Sequence, residues 1–460
     1  MPNLEAALKY AGEHREKFRD DLIELVRIPS VSTDPGRAAE MKQAAEWCAA
    51  QLRGLGFRNA AVLPTARHPV VYAEHLAAGP GKPTILFYDH YDVQPPEPLD
   101  EWETPPFEPT VRGENLYARG ASDSKGQLVA HLKAVEALVK SGGGNLPVNL
   151  KYMLEGEEEI GSPSLPDFMA RERERLKSDF CLNGDSGILG ADRPGLCYAL
   201  RGLAYFEIRL SGPARDLHSG LFGGAVHNPA EVLANLLAGM KDAQGRVTLP
   251  GFYEDVRELS AEERADLARV PQDEAWWLAG TGAPALWGEA GYTPTERATA
   301  RPTLEVNGLL SGFTGTGSKT VLPSRAMAKL SMRLVADQDP AKVKVGLERY
   351  LKEHAPPSVR WELLTHAAAR PSIVERDSRE ARAAGQALEA AWGRKPIFFR
   401  QGGTIPAVAQ IEETLGLKSL LMGFGLPDDN LHAPNEKVHL PTFQRGVEAH
   451  VRFMSLCGKA

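Results

Sequence analysis

The sequence predicts an α/β protein with a mostly parallel central sheet flanked by helices, plus an inserted α+β domain with an antiparallel sheet. Short and nearly continuous apolar runs, which suit strands covered on both faces, occur in the first and last parts of the chain. Strict alternation of apolar and polar residues, which indicates half-exposed antiparallel strands, occurs in the middle. With 460 residues, the chain is also long enough for at least two domains.

The α/β part begins with an amphipathic helix, because apolar residues between Leu4 and Val26 recur at helical spacing. Strand-like apolar runs follow at residues 84–88, 180–182 and 420–422. Between the first two runs, residues 128–139 repeat at helical spacing until three glycines end the pattern. Buried strands with helices between them favour a parallel sheet covered on both faces.

The inserted domain is predicted from two alternating stretches, residues 203–210 and 328–335. We place this domain at residues 198–378, so that residues 1–197 and 379–460 form the two parts of one α/β domain. Residues 250–301 are rich in Glu, Ala, Trp and Gly and fit neither strand pattern, so helices and loops are expected there.

The overall composition argues against several classes of protein. The net charge is −7, with 53 Lys and Arg against 60 Asp and Glu, so no nucleic-acid partner is expected. The N-terminus lacks the apolar core of a secretion signal, and no apolar run approaches the roughly 20 residues that span a bilayer. We therefore expect a cytoplasmic protein with no membrane partner, whose four widely spaced cysteines are buried free thiols.

Histidine and carboxylate side chains follow the predicted strands at their carboxyl ends, where open α/β sheets bind their ligands. After the first apolar run come His90 and Asp92, and three glutamates at 157–159 follow a strand within residues 148–154. Asp123 opens the predicted helix. Asp185 and His432 follow the later runs. These side chains are therefore expected at one edge of the sheet.

This combination of side chains indicates a metal centre. Imidazole and carboxylate together suit zinc, manganese or cobalt. Five candidate ligands with one shared carboxylate are too many for one tetrahedral ion and about right for two, which can hold a bridging hydroxide and polarise a carbonyl. One uncoordinated carboxylate can then act as general base. Singly, each residue also has a structural explanation, such as helix capping by Asp123 or a turn at Asp185.

Together the motifs resemble those of the dinuclear-zinc aminoacyl hydrolase family, which includes carnosinase-type dipeptidases, carboxypeptidase G-type enzymes, acetylornithine deacetylase and succinyl-diaminopimelate desuccinylase. The resemblance extends from residues 28–32 (Ile-Pro-Ser-Val-Ser) to residues 432–436 (His-Ala-Pro-Asn-Glu). It is closest to the carnosinase-like branch, through residues 216–220 (Asp-Leu-His-Ser-Gly) and 402–406 (Gly-Gly-Thr-Ile-Pro). It implies a zinc-peptidase-like catalytic domain with an inserted lid and dimerisation domain.

The resemblance implies a role for each residue of the metal centre. Asp123 would bridge two ions, zinc first with manganese or cobalt as alternatives; the remaining ligands would be His90 and Asp185 for one ion, Glu159 and His432 for the other. Glu158 would be the general base, and Asp92 would orient the His90 ring. Spacing alone leaves the register of the three glutamates open. The family pattern Glu-Glu-x-Gly-Ser fixes it and leaves Glu157 without a role.

The resemblance also implies roles for residues of the inserted domain and the later part of the chain. His218 would reach the active site of a second subunit and stabilise the oxyanion, which requires a homodimer joined through the inserted domain. Arg333 would bind a substrate carboxylate. Gly403 and Thr404 would contact the substrate backbone. A surface histidine and an exposed strand arginine are the structural alternatives for His218 and Arg333.

The leading functional hypothesis is a metallopeptidase that hydrolyses dipeptides or short peptides with a free C-terminal carboxylate. An N-acyl-amino-acid deacylase with the same metal site is the nearest alternative. An inactive binding or scaffold protein on this fold is disfavoured, because it would not need an uncoordinated carboxylate beside two metal ions. A two-metal phosphoesterase is disfavoured because no phosphate-binding Gly-Lys-Ser/Thr motif is present.

Overall fold

The computed structural model describes residues 3–459, which form two compact units. The first unit reaches to Tyr198 and also contains Val374–Phe399 and the residues from Ile405 onward. The second unit contains Ala199–Ile373 and the short segment Arg400–Thr404. The domain boundaries at 198 and 378 remain predictions from sequence.

The strands of the described residues are mostly short. In chain order they are β1 (Arg58–Leu63), β2 (Val70–His75), β3 (Thr84–His90), β4 (Thr110–Arg112), β5 (Asn115–Tyr117), β6 (Asn149–Glu155), β7 (Phe180–Asn183), β8 (Gly195–Leu200), β9 (Gly202–Ser211), β10 (Leu217–His218), β11 (Thr303–Ser311), β12 (Val321–Leu322), β13 (Arg325–Leu334), β14 (Arg360–Ala369), β15 (Ser372–Ile373), β16 (Ile397–Gln401), β17 (Ser419–Leu421) and β18 (Lys437–His439).

The helices vary more in length. In chain order they are α1 (Leu4–Glu13), α2 (Arg15–Val26), α3 (Ala38–Gly54), α4 (Lys125–Ser141), α5 (Leu165–Arg171), α6 (Arg173–Leu176), α7 (Ser219–Phe222), α8 (Pro229–Gly239), α9 (Ala261–Leu267), α10 (Glu274–Thr281), α11 (Pro294–Thr299), α12 (Pro340–His354), α13 (Arg379–Trp392), α14 (Pro406–Leu415) and α15 (Leu440–Cys457). Within residues 3–459, none of these helices has the length and apolar character needed to cross a membrane.

The first unit is built on a six-stranded mixed sheet with the order β1-β2-β6-β3-β7-β17. The four strands β6, β3, β7 and β17 are parallel to one another, and β2 pairs antiparallel with both β6 and the edge strand β1. All residues of β6 and β7 are buried, as is typical of strands covered on both faces, and the nearly continuous apolar run at 180–182 predicted this for β7. The predicted α/β architecture is confirmed.

Helix α4 connects the β5 region to β6 and brings Asp123 to the sheet edge. Its residues from Lys125 to Val139 are buried, and it packs against α1, α2, α15 and β3. The N-terminal helix expected from sequence is instead two helices, α1 and α2, which meet at His14. A helix buried on all sides is held mainly by its packing, so its N-terminus is a rigid support for a functional side chain.

The second unit is built on a four-stranded antiparallel sheet with the order β11-β13-β9-β14. Burial alternates along β13, and helices α8 and α12 contact this sheet. The alternating sequence pattern therefore predicted these half-exposed strands correctly. The stretch at 250–301 contains α9, α10 and α11 with loops between them, as expected.

Candidate metal centre and substrate-binding residues

Three neighbouring parallel strands end at the same edge of the first unit's sheet. Strand β3, which ends with His90, lies between β6 and β7. Directly after β6 the chain makes a short 3₁₀ turn at Glu158–Ile160, and Asp185 follows β7. One ligand atom each of His90, Glu158 and Asp185 lies within 4.8 Å of the others, and the same holds for His90, Asp123 and Glu159. The structure thus brings these five side chains together.

Asp123 is held by the buried carboxylate of Glu436. The Glu436 Oε1 atom accepts hydrogen bonds from the backbone N–H groups of Asp123 and Ser122, both at 3.0 Å. Its Oε2 atom accepts from the Gly120 backbone N–H at 2.9 Å and from Arg119 Nη1 at 2.7 Å. One side chain therefore fixes the loop that presents Asp123, and it does so from 313 residues further along the chain.

The two oxygens of Asp123 face two different histidines. Its Oδ1 atom lies 3.1 Å from His90 Nε2, and its Oδ2 atom lies 2.9 Å from His432 Nε2. His432 Nε2 also lies 3.3 Å from Glu159 Oε2. A carboxylate with one ring on each side has the arrangement that a ligand bridging two ions needs.

Two further side chains hold the members of this cluster in place. Asp92 places Oδ1 3.3 Å from His90 Nδ1, and its Oδ2 atom accepts the Glu159 backbone N–H at 3.1 Å. Gln94 donates from Nε2 to Glu159 Oε2 at 2.8 Å. Because Nδ1 of His90 faces Asp92, its Nε2 atom is directed to the carboxylate cluster.

The donor set fits divalent metal ions. Four carboxylates and two imidazoles converge in a mostly buried space, and like charges at this density need added positive charge. The Glu159 Oε1 atom is buried and, within residues 3–459, has no hydrogen-bond partner. A buried carboxylate oxygen without a partner is costly unless a cation neutralises it. The residues present are therefore suited to hold metal.

Burial and charge crowding shift the pKa values of this cluster in opposite directions. Burial, reinforced by neighbouring carboxylates, raises the pKa of Glu158 to about 9 and that of Asp185 to about 7. Although burial opposes it, hydrogen bonds from His432 and His90 hold the pKa of Asp123 below its usual range. The bonds to Asp123 and Glu159 raise the pKa of His432 to about 10. Asp123 is therefore held in its ionised form, and Glu158 holds a proton more readily than Asp185 does.

The three consecutive glutamates have different surroundings. Glu157 is buried and accepts the backbone N–H groups of His68 at 2.7 Å and Ser164 at 3.0 Å. Glu158 and Glu159 instead lie in the cluster with His90. The turn ends at Gly161, whose φ of 85° favours glycine. Glu157 therefore anchors two segments of backbone. The sequence analysis assigned it no role and did not predict these contacts.

In the second unit, Arg333 and Thr404 are in direct contact. Arg333 Nη1 donates to Thr404 Oγ1 at 2.8 Å, and Thr404 Oγ1 donates to the backbone oxygen of Arg201 at 2.5 Å. Arg201 Nε donates to the Gly402 oxygen at 2.9 Å. Gly403 is exposed, with open space where a Cβ would be. The structure thus brings Arg333, Gly403 and Thr404 into one part of this unit.

His218 lies at the end of β10 and is exposed. Its Nδ1 atom accepts the Gly220 backbone N–H at 3.0 Å, so the proton of the neutral ring is on Nε2. The loop is fixed by Asp216, whose Oδ1 atom accepts both the backbone N–H and the hydroxyl of Ser324 at 2.8 Å. His218 therefore presents one N–H donor to its surroundings.

Several residues that support these side chains within each unit were not singled out from sequence. They are Gln94, which holds Glu159; Glu436, which holds the Asp123 loop; Asp429, which accepts from Ser122; and Arg201, which contacts the segment with Thr404. Glu436 lies inside a motif that was recognised, but nothing in the sequence indicates which distant loop it contacts. Gln94 lies two residues after Asp92, and this proximity was its only signal.

Comparisons with known proteins place this chain among metallopeptidases. Residues 86–456 match the family model described as Peptidase family M20/M25/M40. The chain is 31% identical to the Cys-Gly metallodipeptidase dug1 of Schizosaccharomyces pombe, covering 97% of this chain and 96% of that protein. It is 30% identical to the human Beta-Ala-His dipeptidase, and the match covers 98% of this chain and 92% of that protein. The crystal structure of the M20 family metallo-carboxypeptidase Sso-CP2 from Sulfolobus solfataricus superposes on this chain with a TM-score of 0.79 at 34% identity. The match covers 96% of this chain and 99% of that one.

Proposed function

Because the chain belongs to peptidase family M20/M25/M40, we propose that it hydrolyses the peptide bond of dipeptides or short peptides with a free C-terminal carboxylate, using two divalent metal ions. The chain is a metal-dependent hydrolase of dipeptides; one relative is named a Cys-Gly metallodipeptidase and another a Beta-Ala-His dipeptidase. The observation that carries the detailed proposal is the convergence of Asp123 with two histidines and three further carboxylates at one sheet edge.

We assign the ligands by the contacts around Asp123. Asp123 is the shared ligand because each of its oxygens faces a different histidine. The other ligands are His90 and Asp185 on one side, Glu159 and His432 on the other. These residues would hold two ions, zinc or alternatively manganese or cobalt, whose positive charge would polarise the substrate carbonyl and lower the pKa of a water.

Glu158 is the proposed general base. It lies beside His90 and Asp185, and its raised pKa of about 9 shows that this place favours a protonated carboxyl. A bound metal would lower that pKa toward the working range of a base. Glu158 then takes a proton from the attacking water at a carboxylate oxygen and delivers it to the nitrogen of the leaving amine.

The second unit supplies the proposed substrate-binding residues. The guanidinium of Arg333 binds the C-terminal carboxylate, and its contact with Thr404 Oγ1 holds it in position. Gly403 and Thr404 contact the substrate backbone. The Nε2–H group of His218 stabilises the oxyanion formed as water attacks the carbonyl.

We propose that the protein is a homodimer joined through the second unit, with His218 acting in the partner's site. Strand β11 is at the edge of its sheet and exposes Leu309 and Leu310, at 62% and 56% of their surface. Close to His218, Leu221 is 75% exposed. Large apolar side chains on an open sheet edge are typical of surfaces that pair with another chain.

A cytoplasmic location is also proposed. All four cysteines are buried and free of disulfide bonds, which fits a reducing compartment. Recovery of the protein in a membrane or secreted fraction of its native cells would contradict this proposal.

The substrate class is tested with unmodified dipeptides and N-acetyl or N-succinyl amino acids that share the same C-terminal residue. We expect the metal-loaded protein to hydrolyse the dipeptides with a kcat/KM at least tenfold above that for the acylated compounds. Release of free amino acid, followed by mass spectrometry, gives both rates in one mixture. Turnover of only the acylated compounds would keep the metal site and make the enzyme a deacylase instead.

A further inference from the structure

A cavity of about 430 Å³ lies within the second unit, next to the proposed carboxylate-binding arginine. Its volume is within the range of small-molecule sites, about 300–1,000 Å³. Apolar and charged side chains line it. The apolar part includes Trp277, Leu286 and Trp287, and the charged part includes Arg201 and Arg333. A ligand that fills it must satisfy apolar and cationic walls together.

The charges of this cavity do not balance. Two of its cations are paired with carboxylates: Arg301 binds Glu289 at 2.8 and 2.9 Å, and Lys241 lies 3.5 Å from Glu305. Three other cations, Arg201, Arg297 and Arg333, have no carboxylate within ion-pair distance among residues 3–459. The cavity therefore holds more positive charge than one ligand carboxylate would neutralise.

Arg201 carries the observation that most directly favours binding of an anion. Its Nη1 atom is buried and has no hydrogen-bond partner in the described part of the chain. Burial, followed by repulsion from Arg333, lowers the pKa of Arg201 to about 10, so the group is charged at neutral pH. A buried cation beside a like charge is costly unless an anion compensates it.

The segment around Gly402 keeps the two arginines close together. Arg201 Nε bonds to the Gly402 oxygen at 2.9 Å, and Arg333 bonds to Thr404 two residues later at 2.8 Å. A Cβ atom on Gly402 would lie 2.5 Å from the Ala298 oxygen and 3.1 Å from Arg201 Nη2. The guanidinium of Arg201 therefore also lies near the backbone next to Arg297, the third unpaired cation.

We infer that this cavity binds the side chain of an acidic C-terminal residue, so that the enzyme prefers dipeptides ending in glutamate or aspartate. The inference rests on the proposed function. Arg333 holds the C-terminal carboxylate, and Arg201, assisted by Arg297, holds the side-chain carboxylate. In one amino acid these two carboxylates are separated by only two or three carbon atoms, which suits two arginines on either side of one short segment. The apolar wall accommodates the methylene groups.

The experiment compares Ala-Glu with Ala-Gln, which differ in charge but hardly in shape. We expect the metal-loaded wild type to prefer Ala-Glu in kcat/KM by between about tenfold and a hundredfold, the range that one charged hydrogen bond gives. In the Arg201→Gln variant, the ratio of kcat/KM for Ala-Glu to kcat/KM for Ala-Gln falls to about one. In the Arg297→Gln variant, this ratio falls to a value between one and that of the wild type. The control Arg269→Gln, an exposed arginine paired with Asp266, keeps the wild-type ratio.

Two results would overturn the inference: equal kcat/KM for both substrates in the wild type, or an Arg201→Gln variant that weakens both substrates by the same factor. The second result would make Arg201 a positioning residue for the Gly402–Thr404 segment. Calorimetric binding of free L-glutamate and L-glutamine to the metal-loaded protein gives the same comparison without turnover. A protein that hydrolyses no dipeptide but binds L-glutamate at least tenfold more tightly than L-glutamine would contradict the proposed function. The same result would support the binding of an acidic side chain in this cavity.

Discussion

Replacing Glu158 by glutamine is expected to lower kcat for dipeptide hydrolysis by about 10²–10⁴-fold, the usual contribution of a general base. The amide has nearly the same shape but cannot take a proton from water. Because Glu158 is not among the proposed ligands, the variant should bind as much metal as the wild type. Metal content by mass spectrometry and kcat from a single dipeptide measure both quantities.

The matched control is Glu157→Gln, one residue earlier. Glu157 accepts backbone N–H groups of His68 and Ser164 and anchors the loop. The amide has only one oxygen, so one of these buried N–H groups loses its acceptor, and we expect a lower denaturation midpoint with a kcat within a few-fold of wild type. If Glu157→Gln instead lost activity while Glu158→Gln kept it, the register of the glutamates would be wrong by one residue.

Replacing His218 by alanine is expected to lower kcat by about 10²–10³-fold, the effect of removing one oxyanion donor. The fixed Nε2–H tautomer is the reason, since that hydrogen bond strengthens only as charge develops on the carbonyl oxygen. KM should change little, because the donor is aimed at the transition state. A rise in KM with unchanged kcat would make His218 a ground-state binding residue instead.

Mixing the two inactive variants tests whether His218 acts in the partner subunit. After subunit exchange, a heterodimer of His218→Ala and Glu158→Gln would contain one site with an intact Glu158 and an intact His218 from the other chain. About a quarter of the wild-type activity is then expected, because half of the dimers are mixed and each has one intact site. No recovery after verified exchange would show that His218 acts within its own chain.

The first unit's sheet and the place of its site follow from local sequence patterns. Continuous apolar runs indicated β3, β7 and β17, and the residues after them indicated His90 and Asp185. This works because buried parallel strands need apolar residues on both faces, and parallel strands end at the same edge.

The supports of the site could not be read from sequence because they are long-range contacts. Glu436 contacts the Asp123 loop across 313 residues, and Gly402 contacts Arg201 across 201 residues. Nothing in the local pattern around residues 400–404 indicates that they group with the second unit. The unbalanced charge of the cavity was likewise invisible, since it depends on which arginines find carboxylates in the folded chain.

The most direct test of the central claim is dipeptide hydrolysis by chelator-treated protein before and after metal is added back. The proposed metal centre predicts that removal of metal abolishes hydrolysis, and that zinc, manganese or cobalt restores it as binding approaches two ions per chain. Retention of full dipeptidase activity by metal-free protein, or full activity with an Asp123→Asn variant that binds no metal, would contradict it.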